Sequence, residues 1–347
     1  MAQRTHNRKR ISLSAVLLLS VFISVHPWFP IPKAHARQSR DQEVAVNLAE
    51  GRVVICAAKD AIVLATMGTR GEAGSRPPGI VAISPVRIGV MMGAVEWVLP
   101  ESSDRPVQLD GEFKGLVAQA LSSTNQKDEA FHASDIESIG IVVLERLRVL
   151  AAQLHHKINL GEDEPLVRIV LAGWVPNYGA EAWVIDYQIQ QDSLGNDLWR
   201  TRVSRPRYNQ LYPPEKGKPK TLMESRYPPE NRAAGDPEVL DLLQQNDSRL
   251  AQARAATPQQ QKSLEMVVQG QSQKSDAASL VIFLKAALPA IAPPDTKLFM
   301  AKVDYDGGFQ WIIQPPKAPA PPASEKPSDN KTPEEPDRPS LRRKNEN

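Results

Sequence analysis

Four short apolar runs stand close together between residues 52 and 94 and set the pattern for the rest of the chain. Residues 52–57 and 61–67 are rich in Val, Ile and Ala and are separated by the tight turn Ala58-Lys59-Asp60. Residues 80–84 and 87–92 are joined around Pro85. Apolar runs of strand length bounded by turn residues predict buried strands, here arranged as two hairpins. Several of the runs are apolar without alternation, as expected where both faces of a strand are covered. A polar, glycine- and proline-containing loop, residues 68–78, lies between the two pairs.

Helical periodicity follows. Residues 111–121 place Phe113, Leu116, Val117, Ala120 and Leu121 on one side of a predicted helix. Residues 134–156 open with the capping box Ser134-Asp135-Ile136-Glu137, and Ile136, Ile139, Val143, Leu147, Leu150 and Leu154 recur at three- and four-residue steps. Two strands are predicted over 166–174 and 182–190, around the turn formers Pro176-Asn177-Tyr178-Gly179, with a third over 198–203. Residues 204–235 are Pro-rich and basic and carry Tyr-Pro-Pro-Glu twice, from Tyr212 and from Tyr227; they read as a surface insertion. Asp236-Pro237-Glu238, Thr257-Pro258 and Ser275 or Asp276 each open a further helix. A last hairpin, residues 297–303 and 309–313, turns at Asp306-Gly307-Gly308. Strands, helices, strands, helices, strands: this order predicts an α+β fold, a four-layer α/β/β/α sandwich with two mainly antiparallel sheets.

The two ends read differently from the middle. Residues 1–36 have a secretory layout: Arg4, Arg8, Lys9 and Arg10, an apolar run over 11–25, and Ala34-His35-Ala36 as a cleavage site. The run falls short of the roughly 20 residues of a spanning helix. Cleavage after Ala36 and a secreted or periplasmic location are therefore expected, with no membrane span afterwards. Residues 37–50 form a polar lead-in with a short helix expected through 44–48, and 51–313 form the domain. Residues 314–347 are Pro, Lys, Glu, Ser and Asn with few apolar side chains, and are expected to be disordered.

Charge narrows the partners. The full chain has 42 basic and 40 acidic side chains, and loss of the five basic residues of the signal leaves 37 against 40. Near balance with both signs interspersed leaves no electrostatic footprint for nucleic acid. A single cysteine, Cys56, excludes an internal disulfide, so the fold rests on an ordinary core.

With these residues in view, the order resembles the proteasome β-type fold of the N-terminal-nucleophile hydrolases over roughly 51–313. Residues 52–67 resemble that family's first hairpin and residues 80–93, ending at Gly93, its second. Ile169-Val170-Leu171-Ala172-Gly173 resembles its central strand, and 303–313, with the Asp-Gly-Gly turn and Trp311, its closing hairpin. The resemblance implies a Thr, Ser or Cys that becomes the first residue, whose freed amine (pKa about 8) acts as its base. It also implies a lysine ahead of the third strand, an aspartate at the end of the second, and backbone N–H groups near the glycine for the oxyanion. Those places fall here on 50–52, on Pro78 or Gly79, and on Thr66 or Met67; only Gly93 matches. Processing before Cys56 exposes a thiol but deletes most of the first strand, and a trimmed Ser39 lies far from it.

The expectation is thus an exported, proteasome-like module for binding or assembly without classical nucleophile catalysis, a pseudoenzyme. Its rivals are an atypical N-terminal-nucleophile amidase or peptidase using Cys56, Ser39 or Thr66, and an envelope structural protein held by its tail. The resemblance also implies homo-oligomers, alongside an unidentified protein or peptide partner. No metal spacing, phosphate loop or dinucleotide pattern is present, so no cofactor or metal is expected. His155 and His156 are adjacent and point to different faces of a helix.

Overall fold

The described chain opens with β1 (Ala45–Ala49), β2 (Gly51–Ala57) and β3 (Ala61–Gly68), the last two an antiparallel hairpin. Its side chains divide between two apolar clusters: Val53, Ile55, Ala57, Ile62 and Leu64 enter one, and Val54, Cys56, Val63, Ala65 and Met67 the other. Burial on both faces is what runs without alternation demand. The computed structural model describes residues 44–69, 75–99, 106–121, 133–161, 164–175, 179–213, 222–228, 238–251, 257–269, 271, 274–304 and 306–316. The expected signal, with Ser39 just beyond it, and the tail past residue 316 lie outside these residues.

Two mainly antiparallel sheets and a few helices make an α+β fold. In the first sheet, β5 (Arg87–Val98) is the shared strand. One edge carries β1 and β4 (Ile80–Ser84); the other carries β6 (Val107–Gln108) and β7 (Val167–Val175). From β7 the sheet continues through β8 (Gly179–Tyr187). A separate hairpin, β9 (Ile189–Gly195) and β10 (Leu198–Val203), precedes the sheet's last strand, β11 (Arg207–Tyr212), which pairs with β8. The second sheet runs in the order β12 (Leu222–Tyr227), β2, β3, β13 (Lys297–Asp304) and β14 (Gly308–Ile313).

Five helices accompany these strands among the described residues: α1 (Leu109–Leu121), α2 (Ala133–Ala151), α3 (Glu238–Gln244), α4 (Pro258–Val268) and α5 (Ala277–Ile291). Three apolar clusters account for the burial. Phe113, Val117, Ile139, Val143 and Leu147 of α1 and α2 meet Met91, Ile169, Leu171 and Ile185 of the first sheet. Ile88, Val90, Met92, Val170 and Val184 of that sheet share a cluster with Val53, Ile55 and Leu64 of the second. The remaining face of the second sheet is covered by Val239, Leu243, Val267, Leu280, Leu284 and Leu288.

Several expectations are corrected. The lead-in at 44–48 is a strand, not a helix: β1 pairs with the far half of β5, which runs to Val98 because it has partners on both edges there. The stretch 204–235 is not wholly a surface insertion; its described residues are 204–213 and 222–228. They supply an edge strand to each sheet, and both tyrosines of the repeated Tyr-Pro-Pro-Glu motif are buried. The predicted helix over 134–156 stops at Ala151, because the chain beyond it bonds to the β9–β10 hairpin. His155 O accepts from the Trp199 N–H at 2.8 Å, and the Ile158 N–H donates to Gln191 Oε1 at 3.0 Å.

The opening of α5 follows its sequence signal: Asp276 has extended backbone and its carboxylate accepts from the Ser279 N–H at 2.8 Å. That backbone hydrogen bond outweighs burial and holds the Asp276 carboxyl below the ordinary value of 3.8. Replacement Asp276→Ala is expected to cost about 1 kcal/mol in urea-unfolding stability at neutral pH.

Candidate functional site

The place to look is the mouth between the sheets, where β2, β3 and β12 end opposite β5, β7 and β8. Alternation decides what reaches it. On β3, Ile62 and Leu64 point between the sheets, so Thr66 does too; on β12, Met223 and Tyr227 do, and so does Ser225. Val53 of β2 pairs with Thr66 on one side and Ser225 on the other. The two hydroxyls therefore flank Val53, about 10 Å apart across two strand spacings. Both residues are buried, and neither hydroxyl oxygen has a hydrogen-bond partner among the described residues.

From the first sheet, Arg168 fills the opening. It grips Asp186 with two hydrogen bonds of 2.7 Å and donates a third, 2.9 Å, to the Arg226 carbonyl of the second sheet. Bidentate pairing of this kind fixes geometry as well as charge. Asp192 is held separately by Arg202, so Asp186 and Asp192 do not form a proton-sharing pair.

Gly93 sits where the resemblance places an oxyanion device, and its surroundings are closed. Its φ is +89°, and a Cβ there would lie 2.9 Å from the Tyr227 ring and 2.4 Å from the Leu166 carbonyl oxygen. The next N–H, of Ala94, already donates to that carbonyl at 2.8 Å. The Tyr227 hydroxyl donates to Pro165 O at 3.0 Å, which anchors the ring over Gly93. Burial first, and then the charges of Glu164 and Glu50, keep this phenol far above its ordinary titration range.

The place that the resemblance gives a nucleophile, residues 50–52, is crowded at its centre. Gly51 begins β2 with φ +150°, and a Cβ on it would fall 2.0 Å from the Met67 carbonyl oxygen. No Thr, Ser or Cys side chain fits at residue 51. Nor is Gly51 an end of the strand system: Glu50 connects it to β1, which belongs to the other sheet. That connection is pinned, since the Glu50 N–H donates to Arg76 O and the Arg76 N–H donates to Leu48 O, each at 3.0 Å.

On the opposite face of the second sheet lies a charged network. Glu224, with its side chain 4% exposed, bonds Arg226 at 2.6 Å and lies 3.6 Å from Arg52. Arg52 in turn bonds Glu238 at 2.6 Å. Burial raises the Glu238 carboxyl, but the hydrogen bond and charge of Arg52, with help from Arg226 and Arg249, hold it below the ordinary 4.5. A cleft opens beside this network, lined by Glu50, Gly51, Arg52 and Met67 on the strand side and by Ala292, Pro293 and Thr296 after α5.

The candidate residues are thus not brought together. Cys56 is fully buried on the helix-facing side of the second sheet, Thr66 lies between the sheets, Gly93 backs onto Tyr227, and Ser39 lies outside the described residues. Sequence reasoning missed Arg168, Asp186 as its partner, Tyr227 and the Arg52–Glu224–Arg226–Glu238 network. The alternation of Leu222–Tyr227 was the available signal, hidden by the surrounding prolines. Among the described residues, no group of three His, Cys, Asp or Glu side chains is placed to hold a metal ion, and no helix is long and apolar enough to cross a membrane. No protein-family model and no curated protein sequence matches the chain.

Two outcomes follow from this geometry. Gly51→Ala is expected to destabilise by roughly 3 kcal/mol or more, whereas Gly115→Ala, in α1 with nothing within 4 Å of its would-be Cβ, is expected to be neutral or to stabilise by up to about 1 kcal/mol. Urea midpoints of the two variants check both. The lowered Glu238 carboxyl contributes stability that is present above the ordinary 4.5 and lost as pH falls through its folded value. The gap in urea midpoint between wild type and Glu238→Gln is therefore expected to shrink between about pH 6 and pH 3.

Proposed function

We propose that the chain is an exported, non-catalytic module for binding or assembly, built as a proteasome-like four-layer α/β/β/α sandwich. The observation that carries the non-catalytic half is Gly51. At the position where an N-terminal nucleophile would stand, the backbone leaves 2.0 Å for a Cβ. The peptide then continues into a strand of the other sheet.

The architectural half is supported by the distribution of the three apolar clusters, one between the sheets and one on the outer face of each. It is supported further by the strand order, in which the first and last hairpins lie side by side in one sheet. Export is supported by the basic, apolar and Ala-x-Ala layout of residues 1–36, with a secreted or periplasmic destination. The surface offered to partners is the polar rim of the mouth, where Arg168 and Asp186 are each part-exposed.

An amidase reading needs an accessible nucleophile. Thr66 and Cys56 are each at 0% exposure, and a thiol or hydroxyl so enclosed has no substrate access.

The test is the exported protein itself, analysed by N-terminal sequencing and intact mass and then treated with β-lactone, fluorophosphonate and iodoacetamide probes. The expected result is a mature chain that still contains residues 45–57 in one piece and carries no probe adduct in its native state. A first residue at Ser39 or Cys56, or an adduct on Thr66 or Cys56 of the folded protein, overturns the proposal.

A further inference from the structure

Among the strands at the sheets' margins, the outer side of β1 is taken at its end by Arg76, and β11, β12 and β4 carry features that discourage pairing with another chain. β11 exposes Arg207, Tyr208, Asn209 and Gln210 and runs into Pro213. β12 carries Glu224 and Arg226 in the charged network and runs into Pro228. β4 is five residues long and ends one residue before Pro85. Charge, proline and short length are the usual devices by which edges are kept single.

β14, Gly308-Phe309-Gln310-Trp311-Ile312-Ile313, carries neither charge nor proline, and the bulge in its pairing with β13, at Ile312, lies beyond Phe309–Trp311. Phe309, Trp311, Ile312 and Ile313 are all left half-buried. Among the described residues β14 pairs with β13 alone, so alternate N–H and C=O groups along its other side face outward.

We propose that β14 pairs antiparallel with β14 of a second copy of this chain, joining two five-stranded sheets into one continuous sheet across a twofold axis. The register is limited by which face each side chain occupies. Phe309 and Trp311 pack on the cluster between the sheets, while Gln310 pairs with Lys302 on the other face. Residues opposite each other in an antiparallel pair share a face. Of the registers that keep faces matched, the one centred on Gln310 sets Phe309 against Trp311 of the second copy, Trp311 against its Phe309, and Gln310 against Gln310 on the axis. Aromatic pairs are the favourable cross-strand neighbours, and the two carboxamides, each a donor and an acceptor, complement one another. An identical uncharged strand satisfies this edge with no repulsion.

The chain's own tail is a poor occupant. Beyond Pro315 and Pro316 it carries prolines at 319, 321, 322, 327, 333, 336 and 339, each of which removes a ladder donor. The inference rests on strand order and edge composition, independently of whether the mouth is catalytic.

Sedimentation velocity on the mature full-length protein tests it, with far-UV circular dichroism to confirm folding of each variant. The wild type is expected to be a dimer, and deletion of residues 317–347 is expected to leave it so. Gln310→Lys and Gln310→Glu place like charges across the axis and are each expected to be monomeric, and an equimolar mixture of the two is expected to restore the dimer. Oxidised Gln310→Cys is expected to cross-link through residue 310, which reads the register even if the charged variants fold poorly. A monomeric wild type, a dimer indifferent to both charges, or a Gln310→Cys protein that stays uncross-linked overturns the proposal.

Discussion

Between Ala49 and Gly51 the chain leaves one sheet and enters the other, and the surrounding structure is arranged around that crossing. β1 belongs to the sheet of β5, β2 to the sheet of β3, and one residue, Glu50, separates them. Such a short link holds the two sheets at one spacing and allows no side chain on Gly51, where the Met67 carbonyl is already in the way. Arg76 fixes the link from outside by two backbone hydrogen bonds. A chain constrained in this way has a single use for its second strand: to be the middle of a packed hairpin, covered on both faces.

The mouth beside the crossing is correspondingly filled. Tyr227 lies against Gly93 and bonds back to Pro165, and Arg168 ties Asp186 of one sheet to the backbone of the other. Behind them, Arg52, Glu224, Arg226 and Glu238 bind the edge strand β12 to β2 and to the start of α3. Breaking one member of such a partly buried network leaves a charge without compensation, which is costly even where the whole network adds little net stability. The two lone hydroxyls of Thr66 and Ser225 sit deeper still, flanking Val53.

The strands of residues 52–92 and the last hairpin were legible because apolar runs bounded by Gly, Pro and Asp carry their own signal, and α5 because Asp276 caps it as written. The proline-rich stretch was not. Its two strands, Arg207–Tyr212 and Leu222–Tyr227, are edge strands, whose polar and charged outer residues conceal the alternation that buries Leu211, Met223 and Tyr227. β1 escaped for a related reason: Ala45–Ala49 is short and shows its apolar character only against its partner on β5. That residues 50–52 hold no Thr, Ser or Cys could be read from the sequence, but the crowding at Gly51 could not. That crowding is the closeness of Gly51 to a carbonyl sixteen residues away in the sequence, and only the hairpin brings them together.

The pinned crossing is tested most directly by native-state hydrogen exchange across residues 45–57. The account predicts that the amides of Ala45–Ala49, Glu50 and Gly51–Ala57 are protected together and open only with the two sheets. Fast exchange along Ala45–Ala49 while Gly51–Ala57 stays protected would contradict it, for then the first strand would be a detachable leader and the second could exist with a terminus of its own.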